Sequence, residues 1–115
     1  MNNFLMNNFQ TFNVGPDFGN FDVFFCSNTY AIGGGLALEL RLYPSCEPFG
    51  CITVNLPDCP LDPPFVFLDV NNFPGILELM CDNNFSTGAI SSARSGFVDY
   101  PLVRLNLSRI KEFSI

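Results

Sequence analysis

The sequence contains no histidine and no tryptophan, and its basic residues are four arginines and one lysine. Because histidine is the commonest general base, Ser–His and Cys–His nucleophile pairs cannot be built from these residues. Neither a phosphate-binding P-loop nor a GxGxxG motif is present. Carboxylates occur at Asp58, Asp62, Asp69 and Asp99, but no spacing favours an acid/base pair. We therefore expect a protein that is not an enzyme and uses no cofactor.

The shortage of basic residues gives the chain a formal net charge of -6. Binding nucleic acid through its phosphates needs a surface of lysine and arginine, so direct nucleic-acid binding is not expected. An acidic surface attracts basic partners instead, such as the nucleic-acid-binding surface of another protein. Charged residues make up only 14% of the chain, which is sparser than we expect for a dedicated DNA mimic.

Long apolar runs are also missing, since no stretch approaches the ~18 consecutive apolar residues that a membrane helix needs. The first residues, MNNFLMNNFQ, have no basic n-region and no unbroken apolar h-region, so we predict no signal peptide. An odd number of cysteines without an export signal favours reduced thiols and a cytoplasmic protein. The spacing of Cys46, Cys51 and Cys59 lacks the paired CxxC pattern of zinc sites, so buried structural thiols are predicted rather than a metal site.

What the chain does contain is apolar material, including fourteen phenylalanines among 115 residues. This amount predicts a folded chain with one core. Residues 1–20 form an Asn/Phe-rich N-terminal arm, and residues 21–115 form a single domain. The arm is interpreted as a loose or edge-pairing end; as an alternative, its phenylalanines bind a partner or a second copy of the chain.

Alternation of apolar and polar residues is clearest in LALELRLY, residues 36–43, which predicts a strand with four leucines on one face. Gly33–Gly35 precede it and predict a hairpin turn after a strand at 21–27. Further strands are predicted at 51–56, at 65–70 and at 97–107, where Val103, Leu105 and Leu107 face inward. The four prolines within 57–64 exclude regular structure there. A helix is predicted over 72–82 with Asn72 as its N-cap, followed by a polar connecting segment at 86–96, and a C-terminal turn or helix is capped by Ser108. We expect an α+β fold: a mostly antiparallel sheet of four to five strands with one main helix on one face.

The stretch SSARSGFVDYPLVRLNL, residues 91–107, holds two of the four arginines. Arginine, tyrosine and phenylalanine are enriched at protein interfaces, and arginine binds carboxylates or phosphates in bidentate fashion. The alternative is an ordinary turn in which Phe97 packs under the sheet and Asp99 pairs with an arginine. The candidate binding residues are Arg94, Ser95, Gly96, Phe97, Asp99, Tyr100 and Arg104.

Three stretches resemble a small bacterial family described as domain of unknown function 4313. They are ITVNLP (52–57), VFLDVNNFPGILELM (66–80) and TGAISSARSGFVDYPLVRLNLSRIKEF (87–113). The likeness covers roughly residues 28–113. It implies an origin in phages or mobile elements of bacteria, and it implies no activity. The Cys- and Pro-rich region 44–64 and the shortage of lysine depart from the family pattern.

We expect a small cytoplasmic module of a phage or mobile element that binds another protein in a bacterial or phage-infected host cell. Its most specific form is an anti-CRISPR-like inhibitor of a host defence nuclease. A second hypothesis is a small-ligand or nucleotide-binding domain that uses Arg94 and Arg104 with Tyr100. A third is an assembly protein that oligomerises through residues 1–20.

Overall fold

A computed structural model describes residues 9–115. Its helices are α1 (Ile76–Asp82) and α2 (Leu107–Glu112), and a single 3-10 turn spans Pro16–Phe18. Its strands are β1 (Phe12–Asn13), β2 (Asp22–Thr29), β3 (Leu36–Leu42), β4 (Pro48–Cys51), β5 (Thr53–Val54), β6 (Phe65–Leu68), β7 (Ser91–Ser95) and β8 (Val98–Arg104).

The strands form two antiparallel sheets of four strands each, in the orders β1-β2-β3-β4 and β5-β6-β8-β7. The predicted antiparallel pairing is confirmed, but the prediction of a single sheet is wrong. Ile52 shows why: its N–H donates to the Leu38 carbonyl in the first sheet, and its carbonyl accepts from the N–H of Asp69, which directly follows β6 of the second sheet. The predicted strand 51–56 is therefore divided between two sheets.

The β2–β3 hairpin agrees with its predicted alternation. Leu38 and Leu40 are fully buried, while Glu39 and Arg41 lie on the other face with 2.9 Å between Oε1 and Nε. The turn contains Gly33 and Gly34 at φ values of +87° and +70°, which side-chain-bearing residues rarely adopt. The triple glycine is therefore a turn between two strands.

One hydrophobic cluster draws its side chains from both sheets and from α1. The first sheet contributes Phe25 and Leu40, the second Leu68 and Val103, and the helix Met80, all completely buried. Close packing of this kind makes each large-to-small substitution costly. The two sheets are thus two sides of one core.

Part of the predicted N-terminal arm belongs to this core. Phe12 and Val14 are buried, and the Phe12 ring lies 4.8 Å from that of Phe85, centroid to centroid. The Phe9 ring lies 5.0 Å from that of Phe24. Phe4 and the rest of residues 1–8 lie outside the described residues. In the described part of the arm, β1 is the edge strand of the first sheet and the side chains of Phe12 and Val14 are buried, so this part is edge-pairing rather than loose.

The main helix begins later than its sequence predicts. Asn72 was the expected N-cap, but α1 starts at Ile76 after Gly75, which has a φ of +94°. Asn72 instead donates its backbone N–H and its side-chain amide to the buried Asp69 carboxylate, at 3.1 and 2.8 Å. These bonds close a turn before the helix, so the helix prediction over 72–82 is right only from residue 76.

The C-terminal helix also differs in detail. Its N-cap is Asn106, whose Oδ1 accepts from the Arg109 N–H at 3.2 Å, and not Ser108 as predicted. Because the strand ends before this cap, the alternation that predicted Leu107 as inward-facing no longer applies there. Leu107 is 43% exposed.

Candidate functional site

The predicted site falls on the β7–β8 hairpin. Its strands pair Ser95 with Val98 and Arg94 with Asp99, so the loop is the two residues Gly96 and Phe97. Gly96 has a φ of +63°, and glycine at the first loop position is typical of type II′ hairpin turns. Strand β7 was predicted only as a polar connecting segment, because SSARS has no apolar alternation.

The side chain of Phe97 is 97% exposed, more than any other large hydrophobic side chain in residues 9–115. The predicted packing of Phe97 under the sheet is therefore wrong, whereas the other two parts of that alternative, a turn and a pairing of Asp99 with an arginine, are confirmed. The turn places Phe97 beyond both strands, where neither face of the sheet can cover it. The Phe97 ring therefore contributes nothing to the packing of the described core.

The hairpin extends past the rest of its sheet. Strand β8 pairs with β7 from Val98 to Leu102, but it pairs with β6 only from Leu102 to Arg104. Pro101 has no N–H to donate, so it cannot extend the ladder toward β6. The segment between Ser92 and Pro101 is consequently a two-stranded ribbon that projects from the sheet.

An ion pair connects the two strands of this ribbon. Arg94 Nη1 lies 3.2 Å from Asp99 Oδ2, and the two side chains are 61% and 58% exposed. Exposed pairs of this kind contribute only about 0–1 kcal/mol to stability. Because the charges of Arg94 and Asp99 cancel, the ribbon carries no net charge beside Phe97.

The structure does not bring all seven predicted residues together. Arg94, Ser95, Gly96, Phe97 and Asp99 cluster at the end of the ribbon. Because side chains alternate along a strand, Tyr100 and Arg104 lie on the face opposite to Asp99. Arg104 is also five residues from Asp99, or roughly 16 Å along an extended strand.

Arg104 belongs to a different feature, an open groove of about 500 Å³. The groove lies between the end of β8, the start of α2 and the segment 84–87. Its lining includes Pro64, Asn84, Thr87, Arg104, Leu107 and Ser108. The groove is not apparent from the sequence, since its residues come from distant parts of the chain.

A second feature that the sequence did not indicate lies between the two sheets. The Tyr30 hydroxyl is 2.8 Å from Thr53 Oγ1, which also accepts a hydrogen bond from the Leu38 N–H. Burial raises the pKa of Tyr30 to about 12. Cys51 Sγ lies 3.5 Å from the same Thr53 oxygen. This arrangement satisfies buried polar groups rather than forming an open site.

The five cysteines are free thiols. Cys51 and Cys59 are exposed and the other three are half-buried, so the prediction of buried structural thiols is wrong. Within residues 9–115, no group of three or more Cys, Asp and Glu side chains is placed to hold a metal ion together. Over the same range, neither helix has the length and apolar character that crossing a membrane requires.

These observations define a small, mostly antiparallel β domain with a projecting hairpin. The family described as Domain of unknown function (DUF4313) matches residues 28–115, which is more than half of the chain, and the chain belongs to this family. The match confirms the resemblance and includes the whole hairpin and the Arg104 groove. No curated protein and no solved structure matches the chain.

Proposed function

We propose that this protein is a non-enzymatic module that binds another protein through the tip of the β7–β8 hairpin. The observation that supports this most strongly is the nearly complete exposure of Phe97. Keeping a phenylalanine in water forgoes about 2–3 kcal/mol of burial free energy. A pocket on a partner would recover that free energy.

The ribbon suits this role because it presents the ring at a low entropic cost. Backbone pairing between Ser91–Ser95 and Val98–Leu102 orders the ribbon before binding. An aromatic side chain on a pre-ordered backbone, with an arginine nearby, has the composition of an interface hot spot. The partner that fits is a protein with an apolar pocket about the size of one aromatic ring.

The most specific form of the proposal is an anti-CRISPR-like inhibitor of a host defence nuclease, encoded by a phage or mobile element and acting in the host cytoplasm. Its support is the net charge of -6 and the small size. Since the ribbon's own charges cancel, the acidity would act at longer range, by steering the protein toward a basic surface.

The test is affinity capture from a bacterial host together with protection of phage or plasmid against host defence. We compare the wild type with Phe97→Ser and with Ile32→Ser, since Ile32 is a 74% exposed side chain in the other hairpin's turn. We expect one captured partner and protection for the wild type and Ile32→Ser, and neither for Phe97→Ser. Equal capture by all three, or no partner and no protection, would contradict the proposal.

The two other hypotheses receive less support. A ligand site formed by Arg94, Arg104 and Tyr100 needs side chains that the hairpin separates. Assembly through residues 1–20 would have to use residues other than Phe12 and Val14, because both are buried. Deleting residues 1–8 tests it while leaving Phe12 and Val14 in place, and an unchanged oligomeric state would rule out assembly through residues 1–8.

A further inference from the structure

The second feature of interest is the groove beside Arg104, whose position in the sheet is firmly held. On one side Arg104 pairs with Phe65 of β6. On the other, its N–H donates to Thr87 Oγ1 and its carbonyl accepts from the Thr87 N–H, both at 3.0 Å. Arg104 is exposed and lines the groove, and its backbone is held in place on both sides.

The Arg104 guanidinium is uncompensated. Within residues 9–115 it makes neither an ion pair nor a side-chain hydrogen bond, whereas the other three arginines are each paired with a carboxylate. No aspartate or glutamate lines the groove. In a protein of net charge -6, this is a local cationic site with all five guanidinium N–H donors free.

The neighbouring side chains add hydrogen-bond acceptors and an apolar wall. Ser86 Oγ donates to the Thr87 carbonyl and Ser108 Oγ donates to Asn106 Oδ1, so each hydroxyl keeps its lone pairs for an incoming N–H. Leu107 and Pro64 supply apolar surface, and Leu107 is 43% exposed. A ligand that matches all of these groups carries an anion, an amide N–H and an apolar side chain.

We propose that this groove binds the C-terminal carboxylate of a peptide whose last residue is apolar. Arg104 would bind the carboxylate in bidentate fashion, the serine oxygens would accept the last amide N–H, and Leu107 would contact the last side chain. The volume of about 500 Å³ lies in the range of small-molecule ligand sites. This inference does not depend on the hairpin proposal.

The lining favours a monoanion over a nucleotide or another polyphosphate. Arg104 is the single formal charge in the lining, and an added multiply charged group would meet the net negative field of the protein. Among the described residues, no aromatic side chain lines the groove to stack against a base. The mixture of hydroxyls and amides likewise suits a peptide better than a plain fatty acid.

The test is an NMR titration of the ¹⁵N-labelled full chain with acetyl-Gly-Ser-Ala-Leu, as the free acid and as the C-terminal carboxamide. The two peptides differ only in the charge that Arg104 would bind. We expect the acid to bind at least ~10-fold more tightly than the amide. Its addition should shift the Arg104 Nε–H and Asn84 side-chain signals.

Variants separate the site from a general charge effect. Arg104→Gln should reduce binding of the acid to the level of the amide, and Arg104→Lys should give an intermediate affinity because the bidentate geometry is lost. Arg94→Gln removes an exposed arginine outside the groove, so the affinity for the acid peptide should not change. The comparison of the acid and amide peptides uses the wild-type protein. It therefore tests the proposal even if a substitution disturbs folding.

Several outcomes would overturn the assignment: equal binding of acid and amide, no binding of either, or undiminished binding by Arg104→Gln. Hexanoate binding as tightly as the acid peptide would also overturn it, because recognition would then need no peptide. Hexyl phosphate binding more tightly than the acid peptide would contradict the monoanion assignment. Phe97→Ser should leave the affinity for each of these ligands unchanged. A failure of the hairpin proposal would therefore not affect this test.

Discussion

The ring of Phe73 packs directly against the backbone of Gly50, in the space that a Cβ atom at residue 50 would occupy. The contact joins strand β4 to the turn before α1. Phe73 also stacks on Phe49, with 6.2 Å between ring centroids and an interplanar angle of 29°. Residue 50 is therefore glycine because the Phe73 ring occupies the place of a Cβ atom, and not because the backbone there has a positive φ.

Gly50→Ala should destabilise the protein, because the new methyl group overlaps the Phe73 ring and forces it to move. We expect a loss of about 1–3 kcal/mol in the free energy of unfolding, measured by urea denaturation. Gly88→Ala is the matched control, since no atom lies within 4 Å of a Cβ built there. Equal stabilities for the two variants would show that the contact is not tight.

Phe12→Ala tests whether the N-terminal segment is part of the core. The ring is buried against Phe25, Phe85 and Phe113, so we expect a loss of about 3–5 kcal/mol in the free energy of unfolding. Phe21→Ala removes a phenylalanine that is 48% exposed and should cost clearly less. A small loss for both would mean that the segment is dispensable for folding.

Arg94→Gln should change stability by less than about 1 kcal/mol, because the ion pair with Asp99 is exposed to solvent and screened. A double-mutant cycle with Asp99→Asn measures the coupling free energy between the two side chains. The coupling should be small in low salt and close to zero in 1 M salt. A coupling of several kcal/mol would make the pair a structural requirement of the ribbon.

The raised pKa of Tyr30 predicts that the folded protein loses stability at high pH. The folded state keeps the phenol proton up to a pKa of about 12, whereas the unfolded chain releases it near 10. The protonated form therefore contributes stability below pH 10, and this contribution is lost as the pH rises from 10 to 12. In urea denaturation, Tyr30→Phe should show a weaker decline over this interval. Identical declines would contradict the raised pKa.

Features that depend on local pattern were predictable from the sequence. The leucines of β3 alternate with polar residues because one face is buried, and the glycines before them provide the positive φ values of the turn. The prolines of 57–64 prevent regular structure, and residues 57–64 contain no strand or helix. Each of these follows from residues within a few positions of one another.

Features that depend on distant contacts were not predictable. SSARS forms a strand because β8 supplies its partner, and no apolar pattern marks it. Ile52 divides a predicted strand because each sheet takes one of its backbone groups. The two arginines of the predicted site are close in sequence, yet an extended strand separates them and places them on opposite faces.

The central claim is that Phe97 contacts a protein partner, and site-specific photo-crosslinking tests it most directly. Benzoylphenylalanine replaces Phe97 in one variant and Ile32 in the other, and both are irradiated in a bacterial host. We predict one discrete protein adduct from position 97 and none from position 32. Identical adducts from both positions, or no adduct from position 97, would contradict binding through the hairpin tip.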